Sequence, residues 1–196
     1  MEFEPFPKIG RLKRDCLVTE KIDGSNAQIG IVHDAEPIAF GNAVAYVGGM
    51  LIYAGSRNRW LQPGKNTDNF GFAGWVKDNA DELSKLGEGR HFGEWWGLGI
   101  QRGYGLTERR FSLFNPYRWK DDVRPSCCGV VPILYQGDFD TFQIDAALHT
   151  LSQRGSRANP GFNKPEGIIV WHSATKTYFK RLLEGDEMSK TEALAA

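Results

Sequence analysis

Short apolar segments bounded by turn-forming residues predict β-strands along most of the chain. They span residues 16–23, 27–33, 50–56, 90–96, 111–115, 130–136, 167–172 and 177–182. The first two are separated by Gly24-Ser25-Asn26, a tripeptide typical of tight turns. The pattern therefore predicts a protein built mainly from strands.

Two segments instead have apolar residues three and four positions apart, the spacing of one face of a helix. The first begins after Thr67 or Asp68, either of which can cap a helix, and ends at Gly87 and Gly89. The second begins after Asp140 and ends at Gly155. Their apolar positions are Phe72, Trp75, Val76, Ala80, Leu83 and Leu86 in the first, and Ile144, Ala147, Leu148 and Leu151 in the second.

Strands and helices do not alternate regularly, so the pattern predicts the α+β class, with largely antiparallel sheets and a few helices. A chain of 196 residues fits one domain, which we expect to span residues 1–196. Residues 184–196 are polar and then alanine-rich, and we expect them to form a flexible tail.

The composition of the chain indicates a cellular compartment, but it does not indicate a function. The 24 basic and 24 acidic residues cancel, but basic residues cluster at 8–14 and again at 102–120. Charge alone leaves both a nucleic-acid-binding face and an ordinary solvated surface open. No apolar run approaches the roughly 20 residues of a membrane span. Three cysteines at no disulfide-like or zinc-like spacing favour a reducing cytoplasm.

The segment Glu20-Lys21-Ile22-Asp23-Gly24 carries the clearest chemistry. Lys21 lies at the end of a predicted strand, directly before a tight turn. A lysine amine becomes a nucleophile when burial or neighbouring cations lower its pKa from the ordinary value of about 10.4. Gly24 would let the backbone approach a phosphate closely. The alternative is an exposed strand end with a Lys–Asp pair.

Three further residues are candidates because of where they lie in the pattern. Glu94 lies inside an aromatic strand, where its carboxylate needs a partner. Phe114 shares a strand face with Ser112, so it is either a core residue or a ring for stacking on a base. Arg57 follows a strand and is either a surface residue or a phosphate ligand.

Two late segments add a carboxylate and two cations. Glu166 begins a strand just before Gly167, where a carboxylate can hold Mg²⁺ together with substrate phosphates. Lys180 and Arg181 are adjacent on the last strand, so their side chains are predicted to face opposite sides of a sheet. Each of these residues is also compatible with an ordinary structural position.

Taken in order, these segments resemble the conserved motifs of the covalent nucleotidyltransferases, namely ATP-dependent DNA ligases, RNA ligases and mRNA capping enzymes. The resemblance extends from about residue 17 to residue 182. The segments that resemble family motifs are residues 21–24, 92–94, 111–114, 166–167 and 179–180. Within that superfamily, the segments at residues 20–26 and 92–94 look most like the motifs of phage-type RNA ligases, particularly those of the branch that seals nicks in duplex RNA. The fold implied is an antiparallel-sheet nucleotidyltransferase domain, ATP-grasp-like and without an OB-fold.

The resemblance also implies roles. Lys21 would attack ATP to form lysyl–AMP, with Mg²⁺ or Mn²⁺ at Glu166 and Lys180 on the α-phosphate. AMP would then pass to a 5′-phosphate end before attack by a 3′-hydroxyl, which makes nicked or broken RNA, or alternatively DNA, the expected partner. The remaining nucleotide contacts implied are Glu94 with the ribose, Phe114 with adenine, Arg57 with sugar or phosphate, Asn26 with phosphate, and Glu20 with the adenine amino edge.

One position departs from the family pattern. Tyr178 stands where the first of two motif lysines is common, and Lys176 and Arg181 are the candidate substitutes. Three alternatives to an RNA ligase remain open, and the Tyr178 departure favours the last of them. They are a DNA ligase core, a capping guanylyltransferase, and a nucleotide-binding protein that has the ligase fold but no sealing activity.

Overall fold

The computed structural model describes residues 1–34 and 41–186. Its strands are β1 (Asp15–Lys21), β2 (Ser25–His33), β3 (Ala45–Val47), β4 (Met50–Ser56), β5 (Trp60–Leu61), β6 (Gly89–Gly97), β7 (Arg109–Leu113), β8 (Cys128–Val130), β9 (Ile133–Asp138), β10 (Gly167–His172) and β11 (Thr177–Leu182). Its helices are α1 (Phe72–Asp78), α2 (Ala80–Ser84) and α3 (Thr141–Arg154). This confirms the predicted α+β class. Of the predicted tail, the part from residue 187 onward lies outside the described residues.

Contacts divide the chain into two compact units. Unit 1 comprises Met1–Lys21 and the segment from Pro132 onward, and unit 2 comprises Ile22–Val131. The chain therefore leaves unit 1 directly after Lys21 and returns to it at Pro132. The single nucleotidyltransferase domain over 1–196 stays a prediction.

Unit 1 contains an antiparallel sheet with the strand order β11-β10-β1-β9. Helix α3 begins where the Asp140 carboxylate accepts the Phe142 N–H at 2.9 Å, and it ends at Gly155, whose φ is 77°. Its apolar residues are buried against one face of the sheet, which we call the helix face. The core there consists of Cys16, Val18, Ile144, Ala147, Leu151, Ile168 and Val170.

The opposite face of this sheet is called the Lys21 face. Side chains alternate along a strand, and paired residues share a face, so the register assigns each residue. Lys21 pairs with Gly167, which pairs with Leu182, and Thr19 pairs with Ile169, which pairs with Lys180. The Lys21 face thus carries Leu17, Thr19, Lys21, Ile169, Trp171, Tyr178 and Lys180.

Unit 2 contains a sheet with the order β3-β4-β2-β6-β7-β8, and β5 pairs with β4. All pairs are antiparallel except β7 with β8. Helices α1 and α2 contribute to the core with one face of this sheet. Phe72 lies at the centre, with ring centroids 5.4 Å from Trp95 and 5.3 Å from Phe111. None of the helices in the described ranges is long and apolar enough to cross a membrane.

Two predicted elements were wrong in detail, and two short strands were missed. The first helix is two helices, and α1 begins at Phe72 rather than after Thr67. Asp68 nevertheless holds that end, because its carboxylate accepts the N–H groups of Ala73 and Gly74 at 2.7 and 3.0 Å. The strand predicted over 130–136 is two strands, β8 and β9, separated at Pro132, which has no N–H to donate to a sheet. The short strands β3 and β5 were not predicted.

Candidate active site

Lys21 is the last residue of β1, and its ammonium group forms an ion pair with the Glu166 carboxylate. Because Lys21 pairs with Gly167, the register places Glu166 one residue beyond the paired position. The side chains of Lys21 and Glu166 are 21% and 7% exposed. The two residues singled out for the nucleophile and the metal are therefore in direct contact, and water reaches the amine only in part.

Gly167 allows β11 to approach this position closely. A Cβ atom added there would lie 2.2 Å from the Arg181 carbonyl oxygen, and the glycine φ is 157°. The Leu183 N–H also donates to the Glu166 carbonyl at 3.0 Å. A side chain at Gly167 would push β10 and β11 apart, and this would displace the carboxylate that holds Lys21.

Glu20 lies on the helix face and is 1% exposed. Its carboxylate accepts the Ser156 hydroxyl at 2.6 Å and the N–H groups of Arg157 and Ala158 at 2.7 and 2.8 Å. Burial raises the pKa of the Glu20 carboxyl, and these hydrogen bonds oppose the rise. The carboxylate thus holds the turn after α3, and its contact with the adenine amino edge stays a prediction.

The two cations of β11 are on opposite faces, as their alternation predicts. Lys180 is exposed on the Lys21 face. Arg181 is on the helix face, where it pairs with Asp145 of α3 and, at 3.8 Å, with Asp186. Arg181 is therefore not on the face that carries Lys21, whereas Tyr178, at the position of the family's first motif lysine, is.

In unit 2 the turn that follows Lys21 is fixed at three points. The Asp23 N–H donates to the Tyr104 hydroxyl at 2.9 Å, and the Asp23 carboxylate pairs with Arg102 at 3.1 Å. The Gly24 N–H donates to Glu94 Oε1 at 3.1 Å. A Cβ at Gly24 would lie 2.5 Å from the Trp95 carbonyl oxygen, so a glycine is required there.

Tyr104 and Arg102 were not predicted as site residues. They lie in the loop after β6, within the glycine-rich stretch 93–105 that the sequence sets apart. Tyr104 is fully buried with a φ of 53°, and its ring meets Trp96 edge-on at 5.0 Å. A buried tyrosine hydroxyl needs a hydrogen-bonding partner, but sequence alone does not identify that partner.

Three predicted nucleotide ligands share one face of the sheet in unit 2. Asn26 pairs with Glu94, and Glu94 pairs with Ser112. The Phe114 N–H bonds to the Phe92 carbonyl at 3.0 Å, which continues that register, so the half-buried Phe114 ring is on the same face. Arg57 is exposed in the turn between β4 and β5.

The donors for a divalent cation are few. Within residues 1–34 and 41–186, no cluster of three or more His, Cys, Asp or Glu side chains could hold a metal ion. Mg²⁺ often takes only one or two carboxylates and completes its shell with water and substrate phosphates. The carboxylate of Glu166, which is buried and contacts an amine rather than other acids, fits that mode of binding.

A comparison with protein families gives one match. The family model described as RNA ligase matches residues 14–182, a range that includes every predicted site residue. No curated protein sequence matches the chain.

Solved structures with a similar fold come from Naegleria gruberi RNA ligase. A lysine-to-alanine variant with ATP and Mn matches with a TM-score of 0.59 at 21% identity, over 87% of this chain and 50% of that one. A glutamate-to-alanine variant with ATP and Mn matches with a TM-score of 0.56 at 19% identity, over 93% and 52%. The chain thus spans about half the length of these ligases, and at this identity the likeness concerns the fold.

Proposed function

The chain belongs to the RNA ligase family, and we propose that it is an ATP-dependent RNA ligase that forms a covalent lysyl–AMP intermediate on Lys21. The observation that carries the proposal is the position of Lys21, at the end of β1 and in contact with Glu166. Because the chain spans about half the length of the solved ligases, the activity of the whole protein is part of the proposal.

In the first step the Lys21 amine forms a bond from Nζ to the α-phosphorus of ATP. The bond from that phosphorus to the bridging oxygen of pyrophosphate breaks, and the amine loses its proton. Glu166 orients the amine, since one of its carboxylate oxygens is in contact with Nζ. Lys180 would neutralise charge on the α-phosphate, and such stabilisation is the main protein contribution to phosphoryl-type transfer.

The other roles are carried over from the resemblance. Glu94 would bind the ribose hydroxyls, Phe114 would stack on adenine, and Asn26 would contact phosphate. Their common face in unit 2 supports this grouping. Arg57 would contact sugar or phosphate, and Glu20 the adenine amino edge.

A divalent cation is expected to assist, and Glu166 is the residue that would hold it. When bound, Mg²⁺ or Mn²⁺ neutralises negative charge on the phosphates. The Naegleria ligase structures with ATP and Mn support the choice of cofactors.

In the later steps an oxygen of an RNA 5′-phosphate would displace Lys21 from the AMP phosphorus. A 3′-hydroxyl would then attack that 5′-phosphate and release AMP, which closes the strand. The family match supports RNA as the substrate. Comparing the sealing of nicked RNA, nicked DNA and hybrid duplexes tests this choice against a DNA ligase.

We also place the protein in the cytoplasm. Cys16, Cys127 and Cys128 are free thiols in the described part of the chain, which suits a reducing compartment.

The decisive experiment is the intact mass after incubation with ATP and Mg²⁺. We expect a mass increase of one adenylyl group, which acid removes because it is held by a P–N bond. The adduct should be absent in Lys21→Ala and present in Lys77→Ala, which changes an exposed lysine of α1. An adduct that persists in Lys21→Ala would contradict the proposal.

A second candidate is a nucleotide-binding protein with the ligase fold but no chemistry. It is favoured by Tyr178, an uncharged residue on the Lys21 face where the family commonly has a lysine. This candidate predicts that ATP binds without release of pyrophosphate, which a pyrophosphate assay on the same samples measures.

A further inference from the structure

Tyr178 is the residue that departs from the family pattern, and the structure shows what it contacts. It pairs with Trp171 across β10 and β11, and the two ring centroids are 4.4 Å apart at an interplanar angle of 43°. Such a contact fixes the orientation of both rings. The tyrosine that replaces a cation is thus part of an ordered aromatic pair.

This pair is accessible and lies on the Lys21 face. Tyr178 is 65% exposed and Trp171 is half-buried. The next residue, Phe179, is also exposed but faces the opposite side, because it pairs with Val170 of the helix-face core. An exposed ring already supported on one side by a second ring has a free surface on which a planar group can stack.

Two cations flank the aromatic pair. Lys180 follows two residues after Tyr178 on the same face, and Lys176 lies in the exposed turn that leads into β11. Exposed aromatic rings with lysines alongside are the combination that binds single-stranded nucleic acid, since bases stack on the rings and phosphates meet the cations. The positive charge distinguishes this surface from an apolar patch that would bind another protein.

We propose that Trp171 and Tyr178 form a stacking platform for a nucleobase of the RNA that is joined, with Lys176 on its backbone. The inference rests on the proposed ligase function, because it assigns the partner to the face that carries the nucleophile. RNA-binding proteins commonly read bases that are unstacked from their neighbours, and aromatic side chains receive such bases.

The sheet geometry gives the distance between the platform and Lys21. Tyr178 is four residues along β11 from Leu182, the residue in register with Lys21, and β11 is two strands from β1. With standard strand spacings, this separates the two backbone positions by roughly 17 Å. At about 3.4 Å per stacked nucleotide, the platform receives a base about five nucleotides from the reacting phosphate.

The test uses nicked RNA that carries a single unpaired 2-aminopurine, placed in turn at successive positions on both sides of the nick. Stacking on an aromatic ring quenches its fluorescence. With the wild-type protein we expect the strongest quenching about five nucleotides from the nick, on one side only. The loss of one stacking contact in Tyr178→Ala should weaken RNA binding roughly 5-fold to 100-fold and abolish that quenching.

Matched variants separate stacking from a general loss of structure. Tyr178→Phe keeps the ring and should bind RNA like the wild type, whereas Phe179→Ala removes a neighbouring exposed ring on the other face and should also leave binding unchanged. Lysyl–AMP formation, which needs no RNA, should be the same in all of them. Equal weakening in Phe179→Ala, or full RNA binding by Tyr178→Ala, would overturn the platform. Absence of lysyl–AMP in the wild type would instead refute the proposed function.

Discussion

The two faces of the sheet in unit 1 use the same types of side chain for different purposes. On the helix face, Glu20 accepts three hydrogen bonds from the turn after α3. Directly before β10, Glu166 accepts the ammonium group of Lys21. Both carboxylates are buried, yet one stabilises a turn and the other orients an amine. Alternation along β1 therefore separates Glu20, which stabilises a turn, from Lys21, the candidate nucleophile.

The cations follow the same division. Arg181, on the helix face, is paired with the aspartates of its own unit, and Lys180, on the Lys21 face, is exposed. Residues that are neighbours in sequence thus differ in what they are able to bind. Five substitutions test this difference, and we give them from the largest expected effect to the smallest.

Lys21→Arg should abolish the adenylyl adduct and change stability little. The guanidinium keeps the positive charge next to Glu166, but its pKa is too high for it to lose a proton and attack phosphorus. We expect an unfolding free energy within about 1 kcal/mol of the wild type, measured in urea, and no adduct by intact mass. If Lys21→Arg were labelled by ATP, another residue would be the nucleophile.

Glu166→Gln should slow lysyl–AMP formation by roughly 100- to 1000-fold in a single-turnover assay. The amide is nearly the same size as the carboxylate, but it has no charge to hold the amine or a cation. The rate should rise with Mg²⁺ concentration over a higher range than in the wild type. A rate equal to that of the wild type at low Mg²⁺ would mean that Glu166 has no part in the chemistry.

Lys180→Ala and Arg181→Ala form a matched pair on adjacent positions. Removal of the cation from the Lys21 face should lower the single-turnover rate roughly 100-fold. Arg181→Ala removes exposed ion pairs and should cost about 0–1 kcal/mol of stability with little change in rate. If both variants lost the same activity, the assignment of the two faces would not distinguish their functions.

Glu20→Gln should affect stability rather than chemistry. The amide nitrogen replaces one of the two accepting oxygens, so either the Ser156 hydroxyl or the N–H groups of Arg157 and Ala158 lack an acceptor, at a cost of about 1–3 kcal/mol. The adenylylation rate of the folded protein should stay close to that of the wild type. A large loss of rate with unchanged stability would instead favour the predicted contact of Glu20 with adenine.

The same variant has a defined pH dependence. Burial raises the pKa of the Glu20 carboxyl above its ordinary value. The contribution of Glu20 to the free energy of unfolding is therefore fully present below about pH 4.5, and it is lost as the pH rises through the folded-state pKa. The difference in unfolding free energy between wild type and Glu20→Gln should therefore be largest at acidic pH and narrow as the pH rises. Urea titrations over that range measure it.

Much of the fold could be predicted because its strands are long enough to show alternation. The opposite orientations of Lys180 and Arg181, and the common face of Ser112 and Phe114, follow from a period of two residues. The strands β3 and β5 have only three and two residues, and such a length shows no period. The break at Pro132 was missed because the apolar run continues through it.

Contacts between distant residues could not be predicted in the same way. The neighbours of Glu20 are Ser156–Ala158, and the partner of Asp23 N–H is Tyr104. No local pattern connects these positions, because each contact depends on which strands are adjacent in a sheet. Motif resemblance singled out Lys21 and Glu166, but it did not indicate that Glu20 holds a turn.

The discontinuity of unit 1 has a consequence for the order of events during synthesis. Strand β1 leaves the ribosome before unit 2, whereas its sheet neighbours β9 and β10 follow unit 2, so all of unit 2 is translated between them. Strand pairing over such a long loop is slow, because closing the loop costs conformational entropy before any strand contact has formed to compensate for that cost. A nascent chain that stops before Glu166 carries its lysine without the carboxylate that holds it. The Lys21–Glu166 pair is thus completed only after all of unit 2 has been translated.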